Sequence, residues 1–188
     1  MGGPSERYVN TIAILLAAYL ATFFEALPGG LRTWTGAQID CLPALLVYCA
    51  LSTGLTTVSL TAVLGGLWFD ALSANPLGVS VLSNFVVAFI IFRSRELILR
   101  DQPYARLILG AGASAATPLI TVLLLWGGGF KPLVGWGSIW QWLVLTAAGA
   151  LITPLWFWLF DSLQHALAYR RIAETTFRSD REIKRGRG

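Results

Sequence analysis

The stretch LPALLVYCALSTGLTTVSLTAVLGGLWFDAL, from Leu42 to Leu72, decides the fold. It holds 31 residues with a single charge, Asp70, near its end. As one helix it would run about 46 Å, well beyond a hydrocarbon core of about 30 Å. The polar, glycine-containing break Ser52-Thr53-Gly54 divides it into two shorter apolar helices joined by a tight turn. Outward from this block, apolar segments run Tyr8 to Leu27, Leu77 to Phe92, Tyr104 to Trp126 and Ile139 to Leu163. Pro28-Gly29-Gly30, Arg93-Ser94-Arg95-Glu96 and Gly127-Gly128-Gly129 punctuate them. The expected helices are therefore 8–27, 42–52, 55–72, 77–92, 104–126 and 139–163, one transmembrane domain, with a basic cytoplasmic tail over 164–188.

Composition agrees. Of 188 residues, 55% are hydrophobic and 13% charged, about half the charge of a soluble domain. At about 20 apolar residues per crossing the chain accommodates at most about six, which leaves no room for a sizeable aqueous domain. The net charge of +4 lies beside membrane segments, so topology and anionic headgroups explain it better than nucleic acid. Arg7 before the first apolar segment raises a signal peptide, but the segment is long and Glu25 occupies the cleavage region, so an uncleaved helix is expected.

Charge sets the parity. With six spans, one side carries Arg7, the arginines between Arg93 and Arg106, and the tail from Arg170 to Arg187, twelve basic residues against Arg32 and Lys131 opposite. The positive-inside rule then puts both termini in the cytoplasm. Five spans would move only Arg7, beside Glu6, to the other side. Trp34, Trp126, Trp136, Trp140 and Trp142 gather at the outer face in this arrangement, as an interfacial belt would.

Catalytic chemistry is not suggested. Cys41 and Cys49 lie about 12 Å apart on a single helix, too far for a disulfide, and with the lone His165 they make no metal motif. Both read as small apolar residues. No cofactor is implied, and no nucleophile has a base at recognisable spacing. Ala13, Ala17 and Ala21 repeat every fourth residue, and Gly110 and Ser114 repeat the device. Small residues let membrane helices approach closely, within the bundle or against another membrane protein. Pro118 and Pro154, each after a threonine, fall inside helices, where they shape packing or act as hinges. Glu25 and Asp161 lie near helix ends, Asp161 one turn from His165. Asp70 follows Gly65-Gly66 and precedes Pro76-Leu77-Gly78; it either fixes the turn that follows or holds a ligand or partner.

Pro43 opening the second helix, Gly65-Gly66-Leu67-Trp68-Phe69-Asp70 closing the third and Pro76-Leu77-Gly78 opening the fourth together resemble the bacterial rod shape-determining MreD family. The likeness covers about Leu42 to Phe92. It implies a non-catalytic inner-membrane subunit of the machinery that directs lateral peptidoglycan synthesis. Such subunits bind the bitopic protein MreC, and through it the MreB filament and the RodA-type polymerase with its transpeptidase. The fold implied resembles that of the substrate-binding subunits of energy-coupling-factor vitamin transporters. A substrate-binding subunit of a small-molecule transporter is accordingly the competing reading, and Ala17 and Ala21 have the spacing such subunits use on their first helix. Anionic lipid is the expected partner of the basic tail.

Overall fold

The break in the apolar block does what its composition predicts. In the computed structural model, which describes residues 4–26, 36–73, 75–96, 102–132 and 135–176, one helix ends at Ser52 and the next starts at Leu55. Thr53 between them is extended, and its N–H bonds the Cys49 carbonyl at 2.9 Å. Among the described residues there are six helices: α1 (Pro4–Ala26), α2 (Leu42–Ser52), α3 (Leu55–Leu72), α4 (Val79–Ser94), α5 (Pro103–Gly127) and α6 (Trp136–Thr176). The helices α1, α3, α5 and α6 contain stretches long and apolar enough to cross a membrane, and α2 and α4 are shorter apolar helices. The chain is a multi-pass α-helical membrane protein.

Helix α2 is the core. Every residue from Leu42 to Leu51 is buried, as a helix apolar on all faces requires, and it packs against α1, α3, α4 and α5. Its 11 residues extend only about 16 Å, roughly half a hydrocarbon core, so it falls well short of a crossing.

Glycines set the close approaches. A Cβ on Gly66 would lie 2.6 Å from Val81 Cα, and one on Gly65 would lie 2.7 Å from Leu42 Cδ1. Gly66 thus lets the backbones of α3 and α4 meet, while Gly65 admits the first side chain of α2. Gly110 of α5 faces Gly149 and Thr153 of α6, and Gly149 faces Ser114. Gly110 and Ser114 therefore pack inside the bundle. On α1 the buried register is Ile14, Ala18 and Thr22, one residue on from Ala13, Ala17 and Ala21, which are half-buried along its flank. Thr11 Oγ1 lies 3.0 Å from Thr57 Oγ1, and the Tyr19 and Trp68 rings meet edge to face at 5.2 Å.

Pro118 and Pro154 both sit inside continuous helices. Each frees the carbonyl four residues earlier, that of Ser114 or Ala150. The preceding threonine hydroxyls donate one residue earlier still, Thr117 to the Ala113 carbonyl at 3.0 Å and Thr153 to the Gly149 carbonyl at 2.8 Å. They reinforce the adjacent turn rather than fill the gap.

Two contacts relate the ends of the helices. Arg95 donates to the Thr53 carbonyl at 3.2 Å, so the α2–α3 turn and the basic stretch share one end. Trp126, Trp136 and Trp140 are exposed, whereas the Trp142 indole N–H donates to the Ala115 carbonyl at 2.9 Å and links α6 to α5. Trp34 and Pro28-Gly29-Gly30 lie outside the described residues.

The chain divides into two compact units, Met1–Trp156 and Phe157–Gly188. In the second, helix continues to Thr176, so the tail expected from residue 164 begins as helix. The reason is local: His165-Ala-Leu-Ala-Tyr-Arg-Arg-Ile-Ala-Glu holds good helix formers and neither glycine nor proline. Arg178 to Arg187 lie outside the described residues.

Candidate functional site

Asp70 ends α3 facing inward, 2% exposed. Its carboxylate accepts the Gly78 N–H at 2.7 Å and the Ser80 N–H at 3.3 Å. These donors lie at the start of α4, where backbone N–H groups have no partner within the helix. Asp70 therefore caps α4 from a neighbouring helix, and a negative charge there also suits the helix dipole. Gly78 has φ +98°, a left-handed conformation that glycine adopts without strain. Pro76 contributes its carbonyl to the Val79 N–H at 3.3 Å. Of the two roles open to Asp70, fixing the turn accounts for the bonds observed.

Beside this turn is a cavity of about 170 Å³. Gln38, Asp40 and Asn75 border it from the segments outside the helices; Ser80 and Asn84 come from α4; Ser114, Thr117, Pro118 and Thr121 come from α5; Gln141 and Leu145 come from α6. Pro43, in the first turn of α2, and Phe69 complete the wall. Two polar atoms here have no hydrogen-bond partner among the described residues, Asn84 Oδ1 and Ser114 Oγ. Asn84 is 1% exposed. Ser114 Oγ lies against Gly149, and Asn84 Oδ1 is likewise enclosed in the wall. An orphaned buried acceptor costs about 1–3 kcal/mol.

The segment Gly36 to Cys41 closes one side and is held from two helices. Gln38 donates its N–H to Gln141 Oε1 at 3.0 Å and accepts from Gln141 Nε2 through its own carbonyl. Glu25 Oε1 accepts the Cys41 N–H, so this carboxylate anchors the start of α2 to the end of α1. Buried non-helical backbone needs such internal partners. Gln141→Leu removes both bonds to Gln38. It is expected to speed amide exchange over residues 36–41 by about tenfold, matching a net loss of roughly 1–3 kcal/mol for two bonds, while exchange within α3 stays unchanged.

Burial raises the Asp40 carboxyl from 3.8 to about 6, against the opposing effect of the Leu42 N–H that it accepts at 2.9 Å. Burial also pushes the Cys41 thiol up, keeping it protonated. The folded protein thus holds the Asp40 proton more tightly than the unfolded chain. Its stability is expected to fall as pH rises from about 4 to 6, with little further change from this group above. Thermal unfolding in detergent across that range checks it, and Asp40→Asn should flatten the slope.

The residues singled out in the sequence are thus partly assembled. Pro43, Asp70, Pro76 and Gly78 gather at one end of the bundle, with Gly65 and Gly66 behind them. Asp161 belongs to the second unit. Asn84, Gln38 and Gln141 are the polar residues that sequence reasoning missed. Only Asn84 had a usable signal, a carboxamide in the apolar run Val79 to Phe92. Among the described residues no three His, Cys, Asp or Glu side chains come together as a metal site.

Fold and site together define a multi-pass helical membrane protein with a small, mostly apolar cavity between its helices that a few polar side chains border. Part of the chain is 31% identical, over 138 residues, to the cephamycin export protein CmcT of Amycolatopsis lactamdurans, an alignment that covers 73% of this chain and 22% of that protein. The chain thus spans under a quarter of that relative's length. No family model and no solved structure matches the chain.

Proposed function

We propose that this chain is a non-catalytic membrane subunit that binds a small molecule for a transporter. The observation that carries the reading is the cavity, mostly apolar and bordered by polar side chains from several elements. A concave site with a few convergent polar groups is where a ligand binds. The partial likeness to a protein named as an exporter is in keeping with it. The proposed relation to the substrate-binding subunits of energy-coupling-factor transporters belongs to the same reading. Thermal unfolding of the purified protein against a panel of vitamins and polar metabolites tests it, because a tight ligand raises the unfolding temperature by mass action. A panel without any stabilising compound, with nothing retained through purification, counts against it.

A second reading is favoured by the turn around Asp70. Pro43, Gly65-Gly66, Asp70, Pro76 and Gly78 carry the resemblance to MreD, and Asp70 ties the Gly78 turn to α3. On this reading the subunit sits in the bacterial inner membrane with both termini cytoplasmic and binds an MreC-like partner. Through it the chain joins the RodA-type polymerase, its transpeptidase and, indirectly, MreB, while the basic C-terminal run meets anionic lipid. Depletion in the native host should then round rod-shaped cells, and purification from native membranes should recover the bitopic partner. A deletion strain that keeps its rod shape overturns this reading.

A further inference from the structure

We infer that Gly36 to Cys41 is a proton-controlled strap on the cavity, fastened while Asp40 carries its proton and loosened once Asp40 is charged. What this does to a bound molecule rests on the ligand-binding reading above; the movement of the strap does not. The segment is built to move as a unit. It is not helical. Gly36 at its start has φ +66°, a conformation that glycine adopts without strain, and α2 begins directly behind it at Leu42. Three hydrogen bonds tie it down, two between Gln38 and Gln141 of α6 and one from the Cys41 N–H to Glu25 of α1. Gln38 and Asp40 border the cavity from it, so freeing the strap removes that side of the wall.

Asp40 is where charge acts on the strap. Its carboxylate accepts the Leu42 N–H at 2.9 Å, while Glu25 accepts the adjacent Cys41 N–H. Two carboxyl groups thus meet the start of α2 on successive amides. Glu25 Oε2 is enclosed without a hydrogen-bond partner among the described residues, which leaves this corner short of donors. The elements around Asp40 supply no counter-charge. Cys41 beside it is a thiol, and Asp70 of α3 is engaged with Gly78 and Ser80. Helices α4, α5 and α6 present hydroxyls and carboxamides, and no lysine or arginine among the described residues borders the cavity. A charged Asp40 is therefore poorly compensated in the wall, and water outside it solvates the charge better. Burial accordingly holds its carboxyl at about 6, up from 3.8. The fastened strap binds the Asp40 proton more tightly than the loosened one does. Its hold is full below about pH 4, falls as pH rises to about 6 and changes little above.

Amide exchange of the full-length protein in detergent, corrected for the intrinsic pH dependence of exchange, reads the strap directly. Protection over residues 36–41 is expected to fall by about tenfold or more between about pH 4 and about pH 6.5 and then level off, while protection within α3 holds. Asp40→Asn, which cannot ionise, should keep the strap protected across the range. Glu25→Gln, which retains an acceptor for the Cys41 N–H, should keep the fall. Arg32 lies outside the described residues, and Arg32→Gln should also keep the fall. Protection that is indifferent to pH in the parent, or that falls as steeply in Asp40→Asn, overturns the inference. So does a fall abolished by Glu25→Gln, which makes Glu25 the titrating group, or by Arg32→Gln, which makes it an ion pair. Equal loss of protection in the strap and in α3 overturns it too, because the whole bundle then responds. None of these results touches the ligand-binding reading, which the metabolite panel decides separately.

Discussion

Asp70→Leu is expected to lower the stability of the folded subunit by about 3–5 kcal/mol and to cut its membrane abundance severely. Two backbone donors, those of Gly78 and Ser80, lose a charged acceptor, and bonds to charged groups contribute about 1.5–3 kcal/mol each. The position is 2% exposed, so water has little access to take the place of the carboxylate. Leucine has similar bulk, and the loss is therefore electrostatic rather than steric. Asp70→Asn keeps one acceptor for Gly78 and should lose roughly half as much. Asp161→Asn, whose residue makes no such cap, should leave abundance near that of the parent. Size-exclusion profiles from heated detergent extracts measure all three, and equal profiles for Asp70→Leu and Asp161→Asn contradict the ordering.

Gly66→Val is expected to be about as damaging for a different reason. A Cβ there would stand 2.6 Å from Val81 Cα and 2.8 Å from its nitrogen, and backbone cannot rotate away as a side chain can. The α3–α4 pair must separate, and Asp70, one helical turn further along α3, is then drawn from Gly78. Overpacking of a well-filled core costs about 1–3 kcal/mol, and the lost cap adds to it. Gly112→Ala is the matched control. Nothing lies within 4 Å of a Cβ at Gly112, so alanine in the helix should be neutral or stabilising by up to about 1 kcal/mol. If both glycine variants unfold at the parent temperature, the α3–α4 crossing is not set by Gly66.

The helices were legible because lipid imposes a strong length rule on sequence. Ser52-Thr53-Gly54 divides two apolar segments in the structure where its polarity says it should, and Pro43, Pro76 and Gly78 stand at the helix starts where their backbone preferences put them. The turn-fixing role of Asp70 could be stated from its place between a glycine pair and a Pro-Leu-Gly run. Other features depend on three-dimensional neighbours. Helix α6 runs past the apolar-to-basic change at residue 164 because helix propensity does not change there. The cavity was not legible because it is built from side chains more than 100 residues apart, Gln38 with Gln141 among them. The buried register of α1 lies one residue on from Ala13, Ala17 and Ala21, because alanine spacing says that a face is narrow and not which way it points.

Helix α2, enclosed on every side and too short to cross, also dictates how the chain enters its bilayer. A segment spanning half the hydrocarbon thickness cannot be released alone by an insertion machine, since its terminal N–H and C=O groups would be stranded in oil. It must leave the machine together with α3 as a hairpin, and its leading end finds Glu25 of a helix synthesised earlier. Its flanks are covered only after α4 and α5 have been made. Biogenesis of this subunit is therefore ordered by its smallest helix, which follows α1 into the core and is sealed only when α5 arrives.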